Sequence, residues 1–326
     1  MTRREYWLML IFGALVNLIQ PAVLANAQNY PSKPIKLIVP VAAGGLGDIL
    51  ARTFAQQLGE STSATVVVEN RSGGGGAIGA AAVARAEPDG YTLMLGFHQI
   101  LSILQHIEAK LPYDPGKDFA PIIHLVSGPS ILLLHPAVPA RTVKELVAYA
   151  KANPNKLTFA SQGNGASGHI AGEQFKQITG VQITHVPYRG AGPAKQDLLA
   201  GHVSMMFDIV SLALPQVRSG DLVALGVAAS ARVSVLPAVP TLVEAGLPVE
   251  GGAWFGLLAP AGTPREIVEW LNLQARKAFS DPVVRDRFVS QGNVLVLGTP
   301  DEFGKHIAAE SERWGEVIRR AGIQSN

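Results

Sequence analysis

The stretch Ile35-Lys36-Leu37-Ile38-Val39-Pro40-Val41-Ala42-Ala43-Gly44-Gly45-Leu46-Gly47-Asp48 decides the fold. Its first half, Ile35 to Val41, is a nearly all-apolar, β-rich run without alternation, which suits a strand buried on both faces of a parallel sheet. The glycines that follow make a tight turn. Asp48 then reads as the start of a helix whose Leu50, Phe54 and Leu58 share one face. The same unit recurs downstream, with a strand expected over Ala64 to Glu69, a glycine loop over Ser72 to Gly76, a helix over Ala77 to Ala86 and a strand over Tyr91 to Gly96. Strands alternating with helices predict βαβ units and an α/β, doubly wound architecture.

Farther along, Ile122 to His135 carries two apolar, strand-like runs separated by Gly128-Pro129, a natural place for the chain to cross into a second lobe. There the grammar repeats. A helix is expected from Thr142, with Glu145 completing a capping box, then a strand over Leu157 to Ser161, a glycine turn over Gly163 to Gly168 and a helix over His169 to Thr179. Val181 to Val186, Val203 to Phe207 and Leu222 to Ala228 supply further strands. Ala253 to Leu258 is apolar again, and Pro264, Asp281-Pro282 and Thr299-Pro300 each open a helix that returns to the first lobe. The expected division is 28–128 with 253–326 as lobe 1 and 129–252 as lobe 2, with two crossings forming a hinge.

Met1 to Ala27 reads as a secretory leader, with Arg3 and Arg4, an apolar Leu8 to Val16, and Ala25-Asn26-Ala27 as an A-x-A cleavage site. The mature chain then begins at Gln28, in the bacterial periplasm. A membrane anchor is the competing reading, but Asn17, Gln20 and Pro21 interrupt the apolar run. Removing the leader leaves 25 basic against 24 acidic residues, a balance that gives no electrostatic argument for nucleic acid. The absence of cysteine excludes disulfides, thiolate metal sites and a cysteine nucleophile.

Ligands of open α/β sheets sit beyond the carboxyl ends of the strands. Two loops, Ala42 to Asp48 and Ser161 to His169, each lead from such an end into a helix, whose free N–H groups and partial positive charge suit a carboxylate or phosphate oxygen. Gly74-Gly75-Gly76-Ala77-Ile78-Gly79 satisfies G-x-G-x-x-G, but the next strand ends Gly96-Phe97-His98, without the acidic residue a dinucleotide ribose needs, so close packing is the better reading. No G-x-S-x-G is present, and Ser167 and His169 lie too close in sequence to face each other. His169 and Glu173 are one turn apart without a third metal ligand, which favours a cap-region histidine and an exposed glutamate; His98 has no identifiable partner. Asp48 and Asp208 are the carboxylates expected at the cleft, and Tyr188-Arg189-Gly190 the source of a phenol or cation there.

Taken in order, Tyr30-Pro31-Ser32-Lys33-Pro34-Ile35, Val39-Pro40-Val41-Ala42-Ala43-Gly44-Gly45 with Asp48, Pro88-Asp89-Gly90-Tyr91-Thr92-Leu93, Leu111-Pro112-Tyr113-Asp114-Pro115 with Asp118-Phe119, Tyr188-Arg189-Gly190 through Gly201, Met206-Phe207-Asp208 and Ala259-Pro260-Ala261-Gly262-Thr263-Pro264 resemble the substrate-binding proteins of tripartite tricarboxylate transporters, the Bug family. The resemblance covers essentially the whole mature chain. It implies a type II, Venus-flytrap periplasmic-binding-protein fold, no catalysis, no cofactor or metal, and membrane transporter subunits as partners, with a monomer the simplest state. It also implies a carboxylate held by main-chain N–H groups at Ala43, Gly44, Gly45 and Asp48 of one lobe and Ser161, Gly163, Gly165, Ala166 and His169 of the other, with Tyr188 and Asp208 at the variable end. Where the family has a polar stretch after the third strand, this chain has Ile100-Leu101 and Leu104-Gln105, which leads us to expect a more apolar far end and a ligand with one carboxylate and an apolar or aromatic remainder. A periplasmic sensor subunit and an exported α/β enzyme are the alternatives, the latter without a nucleophile–base pair to support it.

Overall fold

The computed structural model describes residues 30–188, 190–249 and 251–323, so the expected leader and Arg189 lie outside the described residues. The deciding stretch folds as strand β1 (Ile35–Val39) and helix α1 (Leu46–Thr62). Leu50, Phe54 and Leu58 of α1 are buried on one face, as the i, i+4, i+8 spacing requires. Strand β2 (Val66–Asn70), helix α2 (Ala77–Ala84) and strand β3 (Thr92–Phe97) follow, then a π-helical turn at Gln99–Ile103 and the short α3 (Leu104–Ile107). β2, β1 and β3 lie side by side and parallel, with Leu37 opposite both Val68 and Leu93.

The two runs expected either side of Gly128-Pro129 are instead one continuous strand, β4 (Phe119–Leu134). A Gly-Pro pair ordinarily marks a break, because proline brings no N–H to the ladder. Here Pro129 sits where β4 changes partners. After β4 come α4 (Val143–Ala152), β5 (Thr158–Ser161), α5 (Ser167–Thr179), β6 (Thr184–Pro187), α6 (Ala191–Leu199), β7 (Met205–Ile209), α7 (Val210–Ser219) and β8 (Val223–Ala228). The chain closes with β9 (Gly252–Pro260), α8 (Arg265–Ser280), α9 (Pro282–Val289), β10 (Val294–Leu295) and α10 (Pro300–Ala321). Up to Pro129, β4 pairs antiparallel with β9; from Ser130 onward it pairs with β7 on one side and β8 on the other. Both lobes are therefore mixed sheets, each with a parallel set (β2-β1-β3 and β7-β5-β6) joined to antiparallel strands.

Three caps read from sequence are present. Thr142 accepts from the Glu145 N–H at the start of α4, Asp281 from Val283 and Val284 at α9, and Thr299 forms a full capping box with Glu302 at α10. Pro264 is the N-cap of α8 rather than its first residue.

One core joins residues from Ile35 to Val126 with residues from Ala253 to Ile307, and two others lie wholly between Ile131 and Val249. The backbone passes between them twice. At the second passage the Ser130 N–H bonds to the Gly251 carbonyl (3.0 Å) and the Gly251 N–H to the Ala228 carbonyl (3.1 Å). A Cβ on Gly252 would lie 2.3 Å from the Gly128 carbonyl oxygen, so the two crossing segments touch backbone to backbone there. A further apolar contact bridges the lobes on one flank, where Ile103, Trp314 and Ile318 pack on Ile170 of α5.

Candidate functional site

The strand registers locate the site. In the first lobe Phe97, the last residue of β3, is opposite Phe255 of β9, which is opposite Val126 of β4, so the carboxyl ends of the parallel strands point along β4 toward Gly128. In the second lobe Ile209, at the end of β7, is opposite Ser130, and β5 and β6 run with β7. The carboxyl ends of both parallel sets thus converge on the junction from opposite sides. Ala43, Gly44, Gly45 and Asp48 follow one set; Ser161 and Asp208 lie in the last residues of β5 and β7, and Gly163, Gly165, Ala166, His169 and Tyr188 follow the other set.

The first loop is open. Ala42 to Gly45 are exposed, and the N-cap of α1 is Gly45, not Asp48. Asp48 stands in the first helical turn, 4% exposed. Its carboxylate accepts from the Gly44 N–H (3.0 Å) and from Arg52 Nε (3.0 and 3.1 Å). The Arg52 hydrogen bond outweighs burial and, with the Gly44 N–H, holds the carboxyl below the usual aspartate range.

The second loop is braced on all sides. Ser161 Oγ contacts the Gly163 carbonyl (3.0 Å), the Gly163 N–H (3.2 Å) and His185 Nε2 (2.7 Å). The Gly165 N–H donates to His169 Nδ1 (3.0 Å), and the Ala166 N–H to the Gly163 carbonyl (3.2 Å). Gln162 spans the loop, donating to the Phe207 carbonyl and accepting from the Gly168 N–H. The rings of His169 and His185 stack at 3.9 Å and 6°, and the Phe159 ring lies beside the pair, 4.7 Å from His185 and 6.4 Å from His169. Burial holds His169 below the ordinary histidine range; burial, then the neighbouring His169 and Lys176, lowers His185 to about 3. Both rings are therefore neutral near pH 7, which is what two imidazoles in face-to-face contact require. Glu173, read as exposed, has only 14% of its side chain accessible and pairs with Lys176 (2.7 Å) while lying 4.0 Å from His169.

Several expected ligand contacts thus have internal duties. The N–H groups of Gly44, Gly163, Gly165 and Ala166 are engaged within their own loops. Tyr188 donates its hydroxyl to Asp197 (2.6 Å), and burial together with that carboxylate pushes the phenol up to about 12. Asp208 is 1% exposed; its Oδ1 accepts from the Ile209 N–H, and its Oδ2 lies 3.0 Å from Lys195 Nζ but off the hydrogen-bonding direction, so the pairing with Lys195 is Coulombic. Ile100, Leu101 and Leu104 turn into the first core, where Ile100 packs beside Gly76 and Leu101 beside Gly96, and Gln105 bonds Ser311 of α10. They do not form an apolar cleft wall. Besides Ile103, which packs on Ile170, Ile107 of that segment reaches the second lobe, its Cδ1 2.7 Å from where a Cβ on Gly165 would stand.

The G-x-G-x-x-G segment is closed by packing. A Cβ on Gly76 would strike Ile100 (2.7 Å), and one on Gly79 the Arg71 carbonyl (2.8 Å). Among the described residues no group of three potential metal ligands is present. His98, just past β3, is buried with Nδ1 unpartnered and a pKa lowered to about 4 by burial. A cavity of about 590 Å³ lies beside the crossing; His124 bonds Ser127 and Glu310 bonds Trp254 in its wall, His306 Nε2 and Arg313 Nε there are buried without a hydrogen-bond partner, and none of the expected ligand residues lines it. Sequence reading missed His185, Gln162, Arg52 and Lys195. Of these, only Arg52 carried a signal, its i, i+4 spacing from Asp48.

Residues 50–323 match the model of the tripartite tricarboxylate transporter family receptor. The chain belongs to that family. Its similarity to the protein BugT of Bordetella pertussis is 36% identity over 319 residues, 97% of this chain and 98% of BugT. Two solved structures of receptors from Rhodopseudomonas palustris are similar throughout. Rpa4515, determined with adipate, is 35% identical with a TM-score of 0.79, covering 90% of this chain and 99% of its own. MatC, with bound malate, is 34% identical with a TM-score of 0.75, covering 89% of this chain and 100% of its own. The receptor accordingly has the two-lobed periplasmic-binding-protein fold and is a solute-binding protein; among the described residues no helix is long and apolar enough to cross a membrane.

Proposed function

We propose that this receptor captures a small carboxylate at the junction of its lobes, in the periplasm after cleavage behind Ala27, and delivers it as a monomer to the membrane subunits of a tripartite transporter, without catalysis. The observation that carries this reading is the convergence of two strand-to-helix loops on one junction, each presenting a helix N-terminus. Two partial positive charges and two sets of first-turn N–H groups suit an anion with oxygens on more than one side. Relatives of the same family hold adipate and malate. Lobe 1 is taken as 28–128 with 253–326 and lobe 2 as 129–252.

Because Gly44, Gly163 and Gly165 have internal partners, their bonds orient the loops. The ligand oxygens fall to the neighbouring N–H groups of Ala43, Gly45 and the first turns of α1 and α5, with Tyr188 and Asp208 bounding the second lobe's side. Ile107 supplies the apolar surface that a one-carboxylate ligand with an apolar or aromatic remainder would need.

A thermal-shift panel of mono-, di- and tricarboxylates, aromatic acids, amino acids, sugars and nucleotides tests the reading on the mature chain. A micromolar ligand at millimolar concentration stabilises by about 4 kcal/mol, a rise in Tm of several degrees. Shifts from carboxylates alone support the proposal; shifts from nucleotides or sugars alone overturn it. Tight citrate binding with no response to aromatic acids removes the apolar remainder and leaves the rest standing.

A further inference from the structure

We infer that His185, on β6 and outside the loops expected to touch ligand, is a positioning residue that fixes the Ser161–His169 loop in its binding-ready form. The inference rests on the carboxylate-binding reading for its purpose and on the geometry alone for its mechanism. The Ser161 hydroxyl has one hydrogen and three partners. Directed at the Gly163 carbonyl, that hydrogen leaves Oγ to accept from both the Gly163 N–H and His185 Nε2–H, which satisfies every contact. Gly163 is then clamped at its N–H and its carbonyl by one serine, and the serine is oriented by one imidazole.

The other face of the same ring does a second job. His169 must keep Nδ1 unprotonated to accept the Gly165 N–H, and the parallel stack at 3.9 Å holds its ring in the plane that makes this bond possible. Phe159, directly opposite His185 in the β5–β6 ladder, packs against the side of the stack. His185 therefore reaches both glycines of the loop, Gly163 through Ser161 and Gly165 through His169. The peptide planes between those glycines lead straight into the first turn of α5, and their direction sets where its free N–H groups aim. The loop after β1 has no such support.

Three substitutions separate the roles. His185→Phe keeps the aromatic stack and loses the donor to Ser161, His185→Gln restores a donor at the position of Nε2, and His185→Ala removes both. Amide hydrogen exchange of the ligand-free protein is read at Gly163 and Gly165, with Gly44 and Gly45 as the comparison. In His185→Phe the Gly163 amide should exchange at least tenfold faster than in the wild type, Gly165 should change little, and Gly44 and Gly45 should be unaltered. His185→Gln should return Gly163 to within about threefold, while His185→Ala should accelerate both glycines. Binding of malate and adipate should weaken about tenfold in His185→Phe and recover in His185→Gln. Gly163 exchange within twofold of wild type in a folded His185→Phe protein overturns the inference, as does acceleration spread equally over both loops, which is loss of global stability. Should the wild type bind neither diacid, nor any other carboxylate of the panel, the functional reading fails by itself and the exchange data still decide the role of His185.

Discussion

The two loops that face each other across the junction are built from similar sequence and held in different ways. Ala42–Gly45 is exposed and rests on one buried carboxylate, Asp48, which ties the Gly44 N–H to Arg52. Ser161–His169 is half-buried and rests on a network of two histidines, a serine and a glutamine rooted in β5, β6 and β7. A lobe that must admit ligand can leave one wall adaptable provided the other is fixed, since the ordering cost of binding falls only on the mobile wall. Glycine serves opposite ends at Gly44 and Gly45, where it leaves open space, and at Gly168, where it allows contact.

That contrast yields the largest expected effect. A Cβ on Gly168 would lie 2.5 Å from Gln162 Oε1 and 2.6 Å from the Phe207 carbonyl, and the backbone oxygen cannot swing away. Gly168→Ala should therefore cost about 2–3 kcal/mol of stability by overpacking, measured by urea denaturation, and abolish ligand-induced thermal shifts. Gly45→Ala meets nothing closer than the Ala42 carbonyl at 3.9 Å with φ at −80°, and should change stability by less than about 0.5 kcal/mol. Equal costs at the two positions would erase the distinction between a fixed and an adaptable wall.

How much of this could be read from the sequence follows from the range of the forces involved. The βαβ units were legible because strand, glycine turn and cap are local: Leu50, Phe54 and Leu58 do share the buried face of α1, and Thr142, Asp281 and Thr299 do cap. Asp48 was misplaced by three positions because Gly45 already holds the extended conformation a cap needs, and an acidic residue in the first turn serves the helix dipole equally well. β4 was read as two strands because the residues that receive Gly128 and Pro129, Ala253 and Gly252, come from far along the chain. The brace of the second loop was invisible for the same reason. His185 acts on Ser161 and His169, and no spacing rule links a strand residue to a loop on another strand.

Acid offers a smaller and more selective way to set the loops apart. His185 is neutral in the fold with its pKa lowered to about 3, so the unfolded chain takes up a proton near pH 6.5 that the folded chain refuses. Its contribution is intact above pH 6.5 and is lost as pH falls toward 3, at up to about 1.4 kcal/mol per pH unit. His98 and His124, lowered to about 4 and about 3 by burial, act in the same direction. Asp48 acts in the same direction but in a lower window: its carboxyl is held below the ordinary value, so its stabilisation is complete above about pH 4 and is lost only below that. Urea denaturation at pH 7.0, 6.0 and 5.0 should show stability falling with pH, and His185→Phe should reduce the slope while Asp48→Asn leaves it unchanged. A slope insensitive to His185 would mean that the ring is solvated and the stack is not a closed unit.

The smallest effect is expected at the support of the open wall. Arg52 has 57% of its side chain accessible, so although its bond to Asp48 is well made, water and salt screen the pair. Arg52→Ala should lower stability only slightly, and the loss should shrink further at high ionic strength. Asp48 would keep the Gly44 N–H, which is the bond that shapes the loop, so ligand affinity should fall severalfold at most. Asp48→Ala removes that bond as well and should weaken binding more than Arg52→Ala does, at similar stability. Should the two substitutions weaken binding equally, the guanidinium itself would be implicated at the ligand, and the open wall would present a cation in addition to a helix terminus.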